Sequence, residues 1–173
     1  MAFKYIEWYP LAEGLRDFLK SYTYDDGRHL FEYLQSEDKE LPIRVGAINA
    51  GEYPAIDILF GEESGMNERP KQENGALVQL WIDIYLSGAD ISADINSSTE
   101  LYKLMYKTEK ELFIALAEYN NLMRKTLGIA TNLQVTGILS DGDENIPVSM
   151  QHRIVIEINW RKSNWFTFNI REE

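Results

Sequence analysis

The chain has 173 residues, no cysteine and a formal net charge of −11 at pH 7. Lack of cysteine excludes a disulfide framework, thiolate metal centres and a cysteine nucleophile. The negative charge argues against a general nucleic-acid binder or a ligand of anionic membranes, both of which need a basic footprint.

With 45% hydrophobic and 26% charged residues, the composition is that of one globular domain. The acidic balance reads either as solubility through self-repulsion or as an acidic face for a basic partner. Met1 to Glu7 lack the apolar core of a signal peptide, and no stretch approaches the ~18 apolar residues of a spanning helix. The expected location is cytosolic.

Leu11, Leu15, Phe18, Leu19 and Tyr22 recur at helical spacing after Pro10, which suits a first helical turn. Tyr24 to Gly27 breaks the pattern, and Leu30, Phe31 and Leu34 predict a short second helix ending near Ser36. Glu37 to Glu40 is a solvated connector. Ile43 to Ile48 is a weak strand in which Gly46 marks a bulge or a close backbone approach. Pro54 to Phe60 is a second strand, with Ile56, Ile58 and Phe60 facing one way. Gly61 to Gly75, rich in glycine and charge, reads as a long exposed loop between antiparallel strands.

Ala76 to Leu86 then closes the meander. Its even positions, Ala76 to Leu86, are all apolar, whereas Gln79, Trp81, Asp83 and Tyr85 share the opposite face. One face belongs in a core. The other has the aromatic and polar composition of a docking surface, covered either by a neighbouring subunit or by the chain's own aromatic tail.

Ser97 and Glu100 form a capping box. The helix it opens carries Leu101, Leu104, Met105, Leu112, Leu116, Tyr119 and Leu122 along one stripe. It ends at Arg124 and Lys125 with Gly128 beyond. Asn132 to Leu139 and Met150 to Trp160 form a hairpin around the turn Asp141 to Asn145. The element order is α+β, a mostly antiparallel sheet with a helical N-terminus and a long amphipathic helix on one face. Residues 1–162 make the domain and 163–173 an aromatic arm. The arm, with Trp165, Phe166 and Phe168, either adds a last strand to its own sheet or docks on a neighbouring subunit.

No motif for chemistry is complete. Gly46 to Tyr53 has the glycine spacing of a phosphate loop, but Glu52 stands where lysine must meet phosphate. Asp141, Asp143 and Asn145 match the start of a calcium loop, but Ile146 replaces its glycine and His152 its bidentate glutamate. His29 and His152 are the only histidines, and nothing in the sequence makes them converge. These readings predict no enzyme, no cofactor and no metal site.

The helical start, the strand Pro54-Ala55-Ile56-Asp57-Ile58-Leu59-Phe60, the charged loop, the alternating strand, the capped helix and the hairpin ending in Arg153 to Lys162 resemble the tail terminator (tail completion) proteins of long-tailed phages and prophages. The likeness runs from about residue 10 to residue 162. The paired helical segments before the first strand and the aromatic arm have no counterpart in it.

The resemblance implies a structural subunit of a ring, usually a hexamer, in the virion neck. Such a ring is assembled in the host cytoplasm, caps the tail tube and joins it to the head connector. DNA only passes through its lumen, and no membrane is involved. Candidate interface residues are Trp81, Asp83 and Tyr85 on the strand face, Glu62 and Glu63 in the loop, Asp141 and Asp143 at the hairpin tip, and Trp165, Phe166 and Phe168 in the arm. The alternatives are another tube or secretion-apparatus module, or a small-ligand-binding or enzymatic domain without a motif-encoded site. A further alternative is an acidic DNA mimic, against which the interspersed Lys39, Arg69, Lys103, Lys107 and Lys110 speak.

Overall fold

Alternating apolar residues build most of this molecule. The computed structural model describes residues 8–36, 39–46, 53–64, 75–88, 98–126, 132–141 and 149–161. Five strands form one sheet: β1 (Ile43–Val45), β2 (Ala55–Ser64), β3 (Gly75–Ser87), β4 (Asn132–Asp141) and β5 (Ser149–Arg161). Among the described residues two α-helices accompany them, α1 (Trp8–Ser21) and α2 (Ser98–Thr126), with a 3-10 turn at Glu32–Leu34. The fold is α+β.

The spatial order is β1-β2-β3-β5-β4. β3 pairs antiparallel with β5 from Gly75–Arg161 to Ser87–Ser149 without a shift in register. β2–β3 and β4–β5 are also antiparallel. β1 departs from the expected meander, because it runs parallel to β2. The Ile56 amide donates to the Pro42 carbonyl and the Gly46 amide to the Ile58 carbonyl, both at 2.9 Å. Gly46 is neither a bulge nor a close approach. Its φ of 70° turns the chain out of β1, and no atom crowds the place of a Cβ.

Gly61 to Ser64, expected in the loop, belong to β2: Gly61 is the bulged residue between Phe60 and Glu62, and Glu62 to Ser64 pair with β3 beyond it. Gly61 is needed there for a close approach. A Cβ on it would stand 2.5 Å from Trp81 Nε1, and that indole donates to Gln79 Oε1 at 3.1 Å. Gly61→Ala should therefore displace the ring and cost about 1–3 kcal/mol, read as a lower urea midpoint together with altered tryptophan fluorescence.

The core lies on the inner face of the sheet. Ile56 and Ile58 of β2, Val78 to Leu86 at even positions of β3, and Ile154, Ile156 and Ile158 of β5 are buried there. They join α1 through Leu11, Leu15 and Leu19, and α2 through Leu101, Met105, Leu112 and Leu116, in one cluster. Each such side chain contributes roughly 1.5–3 kcal/mol by leaving water. α2 has 29 residues, about 43 Å at 1.5 Å per residue, and starts directly after the predicted cap. Ser97 itself lies outside the described residues. The buried stripe is rolled slightly from the expected one: Met123 is buried, Leu104 is half-buried and Leu122 is 43% exposed.

The predicted second helix is reduced to the 3-10 turn because Phe31 has a left-handed backbone, φ 57°. Its ring is nevertheless fully buried, and its amide donates to Glu111 Oε2 at 3.0 Å. His29 precedes this turn and bridges to Thr23.

Tyr119 shows the cost of burying a phenol. Burial first, and the charge of Asp17 second, push its hydroxyl up from 10 to about 12. The raised folded value means that the neutral form stabilises the fold fully below pH 10, and this contribution is lost as pH climbs from 10 to 12. Over two pH units the loss reaches roughly 3 kcal/mol. Tyr119→Phe should thus raise the midpoint of alkaline unfolding followed by circular dichroism.

Candidate functional site

The outer face of the sheet carries a row of charge fixed by strand register. Arg44, Asp57, Asp83 and Arg153 stand opposite one another across β1, β2, β3 and β5. Both carboxylates are 0% exposed. The Arg44 Nε donates to Asp57 Oδ1 at 2.7 Å and its Nη2 to Oδ2 at 3.2 Å. Arg153 grips Asp83 in the same two-pronged way, with both bonds at 2.7 Å.

Asp83 also accepts from Gln151 Nε2 and from the Tyr85 hydroxyl, each at 3.2 Å. The Arg153 guanidinium lies 4.2 Å from the centroid of the Trp81 ring. Its pKa is raised, first by the hydrogen bond to Asp83. Burial, then the Asp83 charge, raises that of the Tyr85 hydroxyl.

Two adjacent carboxylates would repel if bare. Here each is neutralised by its own guanidinium, so the row is electrically balanced and its oxygens are occupied. It can hold register, since slipping either strand by one residue would bury an unpaired charge. It presents no carboxylate for acid–base work. Of the three predicted interface residues on β3, Asp83 is therefore enclosed by its own sheet, and Trp81 and Tyr85 remain half-buried beside it.

On the inner face, His152 Nδ1 meets Glu109 Oε1 of α2 at 2.5 Å. A carboxylate that orients a histidine is a feature of general-base sites, yet His152 Nε2 is buried under protein atoms with no hydrogen-bond partner among the described residues. No substrate reaches that atom in this arrangement. No group of three or more His, Asp or Glu that could hold a metal occurs among the described residues. Likewise, no helix among them is long and apolar enough to cross a membrane.

The remaining predicted positions divide between strand and undescribed segments. Glu62 and Glu63 lie in β2 opposite Gln79 and Val78, and only their backbone is described. Asp141 is the last residue of β4, opposite Gln151, rather than the first of the turn. Asp143, Trp165, Phe166 and Phe168 lie outside the described residues. So do residues 47–52 of the phosphate-loop-like segment, which leads from β1 to β2 and not into a helix.

One surface was not singled out from the sequence. β4 is the outermost strand on its side, and among the described residues nothing pairs with its far edge. Val135, Ile138 and Leu139 on it are 41%, 48% and 60% exposed. Val135 and Ile138 stand opposite Ile156 and Ile154, so they belong to the core face but extend past its cover. Two contacts show which side of α2 turns toward this edge: Glu109 touches His152 of β5, and Asn120 Oδ1 accepts from the Leu133 amide at 3.3 Å. That side also carries Tyr106, 69% exposed, and the half-buried Phe113. The sequence signal was available: Asn132 to Asp141 contains no Lys, Arg or Pro, the residues that usually blunt an edge.

In comparisons with known proteins, no family model and no curated protein matches this chain.

Proposed function

We propose that this chain is a non-catalytic assembly subunit of the tail-terminator type, forming a ring that caps a phage tail tube and joins it to the head connector. The observation that carries an assembly role is the open edge of β4. A ten-residue strand with three exposed aliphatic side chains and no charged gatekeeper before Asp141 is a liability for a solitary domain. The protective device among the described residues is the bulge between Val135 and Gly137. A subunit that meets copies of itself turns such an edge into an interface. The finer assignment, to the tail terminator, rests on the resemblance in element order.

Native mass spectrometry of the chain, alone and with the tail tube protein, tests the assembly role. A ring-sized oligomer or a complex with the tube is expected, and a monomer under both conditions would refute it. Deleting the gene in its phage should leave tails of uncontrolled length or finished tails that fail to join heads.

A further inference from the structure

We infer that the open edge of β4 receives the C-terminal arm of a second copy of this chain, which adds to it as a sixth strand. This deepens the assembly reading and rests on it. The edge is long enough to be a template: beyond the bulge, Gly137–Asp141 is an unbroken stretch paired, among the described residues, to β5 on one side only. Ile138 and Leu139 in that stretch point to opposite faces and are both exposed. Residues 166–170 match it in length. In them Phe166, Phe168 and Ile170 alternate with Thr167 and Asn169, a period-2 pattern of strand-forming residues. Main-chain hydrogen bonds would supply affinity and the alternate rings specificity, as in other strand additions. Exposed Ile138 on β4, and Tyr106 and the half-buried Phe113 on the side of α2 that turns toward β4, add apolar surface beside the edge.

Chain direction favours a neighbour over the arm's own subunit. β5 ends at Arg161, near the start of β4, because Asn132 pairs with Asn159. An arm folding back along its own β4 would run antiparallel to β5 and hence parallel to β4. A neighbour's arm is free to enter antiparallel, the pairing used by every long strand pair in this sheet. Passing each arm to the next copy is a head-to-tail contact, and such contacts close into rings when the rotation allows.

The chain has no cysteine, which permits a direct test on the full-length protein. Ser140→Cys and Thr167→Cys are introduced together and treated with a short bismaleimide, with Lys20→Cys plus Thr167→Cys as a distant control. Both Ser140 and Lys20 are exposed, so these changes should leave the fold intact, checked by circular dichroism. The expected result is a ladder of cross-linked chains rising by one subunit mass per step, absent from the control. A cross-link confined to one chain would overturn the inference, as would no cross-link at all. Native mass spectrometry of the unsubstituted chain separates the two failures. An oligomer without the ladder refutes arm exchange alone, whereas a monomer both alone and with the tail tube protein refutes the assembly reading as well.

Discussion

Arg153→Met should destabilise the domain by about 3–5 kcal/mol, the cost of leaving a buried carboxylate without its cation. Asp83 is fully enclosed and directly opposite Asp57, so removing the guanidinium strands two neighbouring acids around a single remaining arginine. Gln151 and Tyr85 still donate to Asp83, but neither carries charge. The stacked Trp81 loses its cover at the same time. Asp83→Leu combined with Arg153→Met should recover most of the loss, because apolar groups of similar volume often replace a buried ion pair at no net cost. Urea unfolding of the wild type, the single and the double variants measures this. A single variant within 1 kcal/mol of the wild type (a level about that of an exposed surface pair) would show that the row is not enclosed as described.

Phe31→Ala should cost about 3–5 kcal/mol, the usual range for emptying a buried aromatic site. Phe31 joins an unfavourable backbone to a fully buried ring, and the strain persists because the surroundings hold both ends. Glu111 of α2 accepts from the Phe31 amide and from Arg28 Nη1, the latter at 2.7 Å. Tyr33 next to it donates to Thr108 Oγ1 at 3.0 Å, and Lys107 lies 3.6 Å above its ring. The segment from Tyr22 to Ser36 is thus held in the core by Leu30, Phe31 and Leu34 and bound to α2 through several polar bonds. Losing the ring should lower the urea midpoint and speed amide exchange in that segment first. Glu111→Ala should do the same more weakly, by about 2 kcal/mol for the orphaned amide and lost charge pair. The two effects should not add, because both act on one contact network.

Local pattern was a reliable guide wherever one face of an element meets a single continuous core. The even positions of β3 from Val78 to Leu86 are buried as their alternation predicts, and α2 keeps its predicted stripe through Leu101, Met105, Leu112, Leu116 and Tyr119, with a slight roll at Leu122 and Met123. The hairpin of β4 and β5 was legible from two alternating runs around an acidic turn, and only its strand ends shifted, by one or two residues. Gly61 was misread because glycine signals a loop as readily as a bulge, and only Trp81 across the sheet distinguishes them. The short helix at Leu30–Leu34 failed for a related reason: Glu111, far along the chain, holds Phe31 in a conformation that its own sequence disfavours.

By itself, the sequence determined the α+β class, the five strands and two α-helices of the described residues, the buried face of β3 and, within a slight roll, that of α2. Those follow from side-chain periodicity, which acts over a few residues. Tertiary structure alone decided the order β1-β2-β3-β5-β4, the parallel seat of β1 and the fate of Asp83. Whether an acid on a strand faces water, a partner or an arginine depends on which residue stands opposite across the ladder. That register arises from pairing between segments far apart along the chain, 70 residues in the case of Asp83 and Arg153. The same pairing places β5 inside the sheet and leaves β4 at its edge, the surface on which the proposed assembly depends.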